Sequence, residues 1–331
     1  FAASFYLITR YEEYLPHLKD ASGRFCFEES IAFKNNFLDK PIIDIWVIEL
    51  AEIINIKFKT TIKESKKNKN IIPVFEVSEP YMFQNKSIFL SFFQALNSIW
   101  NLNFKNLINQ VYVLFRLSKD PYLEYDFITD QFNNIKIDLL GFFRYTQHSI
   151  DIGAISIFNS SYKLLIKNIS DKIFISLLVS SFAQKNIKIL KNEMKNLTKL
   201  THRNSQKVRL NLGILSISEI YPMLVQSEVL EDYSMGYIDQ IGYRASTSIP
   251  FYYYDLINEV QSSLKVYPVA ITEFALRKLS VKNAFEVMKE YLLKLPLENS
   301  IFCFAFTPKL LSQSSENLLW RSSFLKFINE I

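Results

Sequence analysis

From residue 71 onward, short continuous apolar runs alternate with longer stretches whose apolar residues recur at helical spacing. "IIPVFEV", "IKIDLLGFF", "IFISLLVSS", "KVRLNLGI", "LKVYPVAI" and "SIFCFAF" read as strands. The helical patterns include "SIFLSFFQALNSIW", "FKNLINQVYVLFRL", "DPYLEYDFITDQF", "NSSYKLLIKNIS", "NIKILKNEMKNLTKL", "SISEIYPMLVQSEVL" and "SVKNAFEVMKEYLLKL", and "SENLLWRSSFLKFINE" ends the chain. A strand that is apolar along its whole length, rather than at every second residue, needs cover on both faces. The alternation therefore predicts an α/β fold with a helix-covered parallel sheet, either a barrel or an open doubly wound sheet. In both, sites gather at the carboxyl ends of the strands. Pro222 is expected near the first turn of its helix or at a kink, and "DYSMGYIDQIGYRASTSIPFYYYD" reads as loop-rich.

Residues 1–60 follow another pattern: "SFYLITRYEEYLP", a turn at "DASGRF", and an amphipathic helix in "PIIDIWVIELAEIINIKF". The basic run "KESKKNKN" (63–70) reads as a solvated linker and sets the boundary between a first part, 1–66, and a second, 67–331. The chain opens without Met and in mid-pattern, so it reads as a fragment, and a signal peptide is left undecided. With 331 residues, 49% hydrophobic and 15% aromatic, there is ample material for a core. The net charge of +5 is scattered rather than massed, which argues against a nucleic-acid partner. No apolar run approaches the roughly 18–20 residues of a membrane span. Cys26 and Cys303 lack metal-type spacing. The three histidines, His17, His148 and His202, read as surface or loop residues.

Several strings carry a resemblance. "ASFYLITRYEEYLPHLKDASGRF" with "IAFKNNFLDKPIIDIW", and later "KDPYLEYDF", "EDYSMGY", "GYRASTSIPFYYYDL" and "LKVYPVAI", resemble a bacterial polysaccharide deacetylase-like protein with an N-terminal accessory domain. The resemblance implies that 1–66 is the C-terminal part of that accessory domain and 67–331 a distorted (β/α) barrel. It also implies hydrolysis of N-acetyl groups on sugars with a divalent metal, usually zinc, held by Asp and His, a carboxylate base and a His acid.

Carried over residue by residue, the resemblance implies a degraded site. Glu76 and Ser78 stand where the family has its Asp-any-Asp pair, and an un-ionised hydroxyl is a poor zinc ligand. Leu178, Val179 and Ser180 stand at its His-Pro-Ser. Arg209 is kept, whereas Leu210 and Asn211 replace a Gln-His pair. Glu273 replaces an Asp, Ala305-Phe306-Thr307 replace Trp-His-Asn, and Phe142 replaces another Asp. Glu76 and Glu273 remain as vestigial catalytic candidates, and Arg209, Arg244 and Asn211 as substrate-binding candidates, with no metal ligand set. Glu79 reads as a loop charge. Arg244 is expected either to orient a carboxylate or substrate or to pair with Asp232 or Asp255. Tyr252, Tyr253 and Tyr254 fit core packing better than sugar stacking. Leu178, Val179, Phe306 and Phe142 are expected to form an apolar plug beside Glu76.

These readings imply a pseudoenzyme, a carbohydrate-binding or scaffolding protein without a cofactor. The alternative is an active metal-dependent carbohydrate N-deacetylase with a rearranged site around Glu76, Glu273 and Arg244, which would need zinc or another divalent metal. The partner implied is a saccharide, with no nucleic acid. The cytoplasm is the favoured location.

Overall fold

The computed structural model describes residues 1–62, 70–147, 155–211, 213–314 and 316–331. The basic run therefore lies outside the described residues except for Asn70, and His148 lies outside them too. Nine strands form one sheet: β1 (Asn70–Val77), β2 (Leu140–Phe143), β3 (Phe174–Val179), β4 (Lys207–Leu210), β5 (Glu231–Met235), β6 (Phe251–Asp255), β7 (Val260–Pro268), β8 (Ile271–Thr272) and β9 (Ile301–Phe306). Their order is β6-β7-β5-β4-β3-β2-β1-β9-β8. Every neighbouring pair is parallel except β6 with β7.

This order forces a barrel. Only Val269 and Ala270 separate β7 from β8, yet the two strands lie towards opposite edges of the sheet. The three steps from Pro268 to Ile271 span at most about 11 Å, so the sheet curls until its edges approach. The seam is hydrogen-bonded: Val269 N donates to Met235 O at 2.8 Å, and Ala270 N to Cys303 O at 3.0 Å. Gly236 sits at this seam because a Cβ there would come within 2.2 Å of Val269 O.

Helices cover the outside: α1 (Ala2–Ile8), α2 (Ile31–Lys34), α3 (Ile42–Phe58), α4 (Ile88–Trp100), α5 (Phe104–Leu114), α6 (Tyr125–Asn134), α7 (Ser160–Ser170), α8 (Ile187–Thr201), α9 (Ile217–Gln226), α10 (Glu273–Leu276), α11 (Val281–Leu293) and α12 (Leu318–Glu330). Many start on a side-chain cap, such as Asn186 on Lys188 N and Ile189 N, or Asn159 on Tyr162 N. Strand alternation divides the apolar residues between two cores. Phe75, Val77, Phe143, Leu177, Val179, Phe304 and Phe306 face the helices, whereas Val74, Phe142, Leu178, Tyr233, Val269, Cys303 and Ala305 fill the lumen.

Three expectations shift in detail. "EDYSM", read as part of a loop, is strand β5, because its buried Asp232 accepts hydrogen bonds from Tyr221 Oη (2.9 Å) and Ser234 Oγ. The helix expected from Asp120 starts at Tyr125, since the Asp120 carboxylate is used up on the backbone N–H groups of Met82, Phe83, Gln84 and Tyr122. Pro222 lies inside α9 rather than in its first turn.

Residues 1–58 lie against the segment 236–248 that follows β5. Leu38 and Phe25 share an apolar cluster with Tyr237, and Leu38 O accepts from Tyr243 N at 2.8 Å. The neighbouring Gly242 has φ 144°, and a Cβ on it would lie 2.6 Å from Leu38 O, so only glycine suits the contact. Asp44, at the start of α3, accepts from Ser248 N at 2.7 Å, Ser248 Oγ at 2.6 Å and Thr247 Oγ1.

Candidate functional site

Glu76 is the last inward-facing residue of β1, and Arg209 faces inward from β4. Two strands, β2 and β3, lie between them in the sheet, so their side chains meet across the lumen. Arg209 Nε donates to Glu76 Oε2 at 2.7 Å, and Arg209 Nη1 donates to Tyr233 O. The side chains of the pair are 3% and 5% exposed. A charge-assisted pair of this kind is stable in a dry interior only when both members are present.

Below the pair the lumen is apolar. Phe142 and Leu178 belong to that packing, as the plug expectation requires, and Phe142 lies on Tyr233 with ring centroids 5.4 Å apart. Val179 and Phe306 do not. They point to the helix side because inward-facing positions recur at every second residue, and Ala305 and Cys303 take the inner places. Burial pushes the Cys303 thiol up to about 12, partly opposed by Arg209, so it stays protonated near neutrality and is no nucleophile.

Glu273 is engaged by partners other than those of Glu76. It opens α10 and accepts from Arg277 Nε at 2.6 Å, Thr307 N at 2.8 Å and Thr307 Oγ1 at 2.6 Å. Its carboxylate ties the end of β9 to the end of β8. Asn211 is 2% exposed; its N–H donates to Val179 O at 3.0 Å and its carbonyl accepts from Gln184 Nε2 at 3.0 Å. Ser78 is half-buried, and its carbonyl accepts from Arg144 Nη2 at 2.7 Å. Ser180 donates to Glu193 at 2.6 Å. Glu79 lies 3.7 Å from Lys86.

Arg244 pairs with neither Asp232 nor Asp255. Its fork grips Glu13 of the N-terminal part, Nε to Oε1 at 2.9 Å and Nη2 to Oε2 at 2.6 Å, while Nη1 donates to Gly236 O at 3.3 Å. Asp232 is instead engaged by Tyr221 and Ser234, and Asp255 by Asn258 and the backbone of its own turn. Arg10 completes the cluster: Nε donates to Glu13 Oε1 at 2.8 Å and Nη1 to Arg244 O. Burial alone would raise the Glu13 carboxyl, but Arg244 and Arg10 outweigh it and hold it at about 2. Glu13 and Arg10 escaped the sequence reading. The charged string "RYEEY" was their only signal, and nothing in it names a partner more than 200 residues away.

Tyr253 is buried against Tyr221, centroids 5.0 Å apart, and hydrogen-bonds Tyr14 at 3.2 Å; Tyr254 meets Phe5 edge-on at 5.3 Å. Both thus serve packing, whereas Tyr252 is exposed. Among the described residues no cluster of three His, Cys, Asp or Glu could hold a metal ion. At the positions where the resemblance implies metal ligands, the donors do not fit one. Glu76 already faces a guanidinium cation, Ser78 offers an un-ionised hydroxyl, and Leu178 and Val179 offer no donor.

Residues 1–59 match the model of a family of unknown function, DUF7033. No curated protein matches the chain. Among solved structures, a Mycobacterium smegmatis protein assigned as a polysaccharide deacetylase is similar over 82% of this chain and 87% of its own, at 14% identity and a TM-score of 0.47. A 4-alpha-glucanotransferase from Thermococcus litoralis is similar over 80% of this chain but only 38% of its own, at 13% identity and a TM-score of 0.48. A polysaccharide deacetylase from Bacillus cereus is similar over 80% and 88%, at 9% identity and a TM-score of 0.37.

Proposed function

We propose that this chain is a deacetylase-like barrel that does not hydrolyse amides and acts as a non-catalytic scaffold. The observation that carries this reading is the Glu76–Arg209 pair across the lumen. A general base must reach a water or substrate proton, and a metal-bound hydroxide needs an open coordination position. A carboxylate 4% exposed and held by an arginine has neither. The same burial favours scaffolding over saccharide capture: Arg209, Asn211 and Arg244 are 2–3% exposed, so none presents a donor to a sugar.

Acetate release from acetylated amino-sugar oligomers tests the reading, assayed with and without added zinc. The expected rate equals the buffer blank in both. Release that depends on zinc and disappears in Glu76→Gln would restore the enzyme reading, with a rearranged metal site.

A further inference from the structure

The hairpin of α4 and α5 buries polar side chains while it exposes large apolar ones. Gln110 is 2% exposed and donates through Nε2 to Ser91 O at 2.7 Å, and Ser98 is 7% exposed and donates to Gln94 O at 3.0 Å, beside the buried Val113. Its largest apolar side chains are turned outward: Phe89 (74% exposed), Phe92 (60%) and Trp100 (88%) on α4, and Phe104 (56%) and Phe115 (74%) at the two ends of α5. On α4 the exposed apolar positions 88, 89, 92, 93, 96, 99 and 100 form one helical stripe. Water penalises such a face, and a medium without hydrogen-bond competition favours it.

The charge pattern identifies that medium. From Pro80 to Lys119 there is no Asp or Glu, while Lys86, Lys105, Arg116 and Lys119 are basic. Lys86 is turned towards Glu79, and the other three are exposed. Aromatic and aliphatic residues on one face and cations around it are the pattern of a helix that lies in a lipid interface; one carboxylate from elsewhere, Glu316, accepts from Asn103 Nδ2 at 2.9 Å at the hairpin turn. Neither helix can cross a bilayer: 13 and 11 residues reach about 20 and 16 Å, against a hydrocarbon core of about 30 Å. No described helix is long and apolar enough to span.

We propose that the α4–α5 hairpin seats the barrel on the surface of an anionic lipid bilayer, with Phe89, Phe92 and Trp100 in the acyl boundary and Lys105, Arg116 and Lys119 at the headgroups. The proposal stands independently of whether the barrel is catalytic.

Vesicle flotation of the whole chain tests it, with phosphatidylcholine alone and with equal parts phosphatidylcholine and phosphatidylglycerol. Three exposed cations at about fivefold each predict roughly hundredfold tighter binding to the mixed vesicles. The Trp100 emission should shift to the blue on binding, and Trp100→Phe should remove that component. Phe89→Ser with Phe92→Ser should abolish flotation at an unchanged melting temperature. Should that variant fail to fold, Lys105→Glu with Arg116→Glu should by itself reduce binding to the level on phosphatidylcholine. A chain that stays unbound on the mixed vesicles would overturn the proposal, as would folded variants that float like the parent. A concentration-dependent dimer that is lost in Phe89→Ser with Phe92→Ser, without vesicle binding, would assign the face to a second copy instead.

Discussion

Glu13→Gln is expected to lower the unfolding free energy by about 3–5 kcal/mol, read from the midpoint of a urea transition at unchanged slope. The carboxylate of Glu13 neutralises two guanidiniums, Arg10 and Arg244, that are both buried. Arg10 keeps a second carboxylate, Glu12 at 2.6 Å, so the amide keeps the shape, removes one charge and leaves the Arg244 cation unpaired in a dry site. Arg244→Ala should cost a similar amount, and the double variant clearly less than the sum, because the single changes remove the same contact. A loss below about 1 kcal/mol would place the cluster among ordinary exposed pairs. The acid profile supplies an independent readout. Glu13 titrates at about 2 in the folded chain, below its ordinary 4.5, so its contribution is complete above about pH 4.5 and lost as pH falls towards 2. Asp44 and Asp232 act in the opposite sense. Burial raises both carboxyls, against the hydrogen bonds they accept, so their contribution declines as pH rises through those raised values. The difference between the parent and Glu13→Gln profiles isolates the Glu13 window from theirs.

Arg209→Met is expected to destabilise by about 3–5 kcal/mol, since it orphans Glu76 in the lumen. Glu76→Gln leaves Arg209 with the Tyr233 carbonyl and should destabilise for the mirrored reason. The informative variant combines Glu76→Leu with Arg209→Met. Two apolar side chains of similar length continue the packing of Val74, Phe142, Leu178 and Ala305, and replacing a buried pair in this way is often neutral or stabilising. A double variant within about 1 kcal/mol of the parent, beside two damaging single changes, identifies the pair as a mutual neutralisation. A double variant as unstable as the sum of the single ones would mean that each residue has a separate partner.

The apolar strands from 71 onward made the sheet and its helical cover legible, because a strand buried on both faces leaves a mark that no surface element shares. The strand pattern left a barrel and an open sheet equally possible, and closure was implied only by the resemblance. Closure follows from β7 and β8 lying towards opposite edges with two residues between them, a fact of order rather than of composition. β5 was missed because "EDYSM" is polar, and its buried Asp232 is made tolerable by Tyr221, which the sequence does not place beside it. At the strand ends the sequence singled out Glu76, Arg209 and Glu273 by position. It could not pair Glu76 with Arg209, since they come from β1 and β4 and pairing across a lumen depends on strand tilt and register, whereas the partner of Glu273, Arg277, lies only four residues on. The same blindness applied to Arg244, whose partner Glu13 lies 231 residues away.

If Glu76 serves the barrel and not a reaction, zinc titrated into the purified chain finds no site there. No stoichiometric uptake is expected, because the Glu76 carboxylate is held by Arg209 and its neighbours at the implied ligand positions are a hydroxyl and two aliphatic side chains. One equivalent of zinc bound by the parent and not by Glu76→Gln would contradict it.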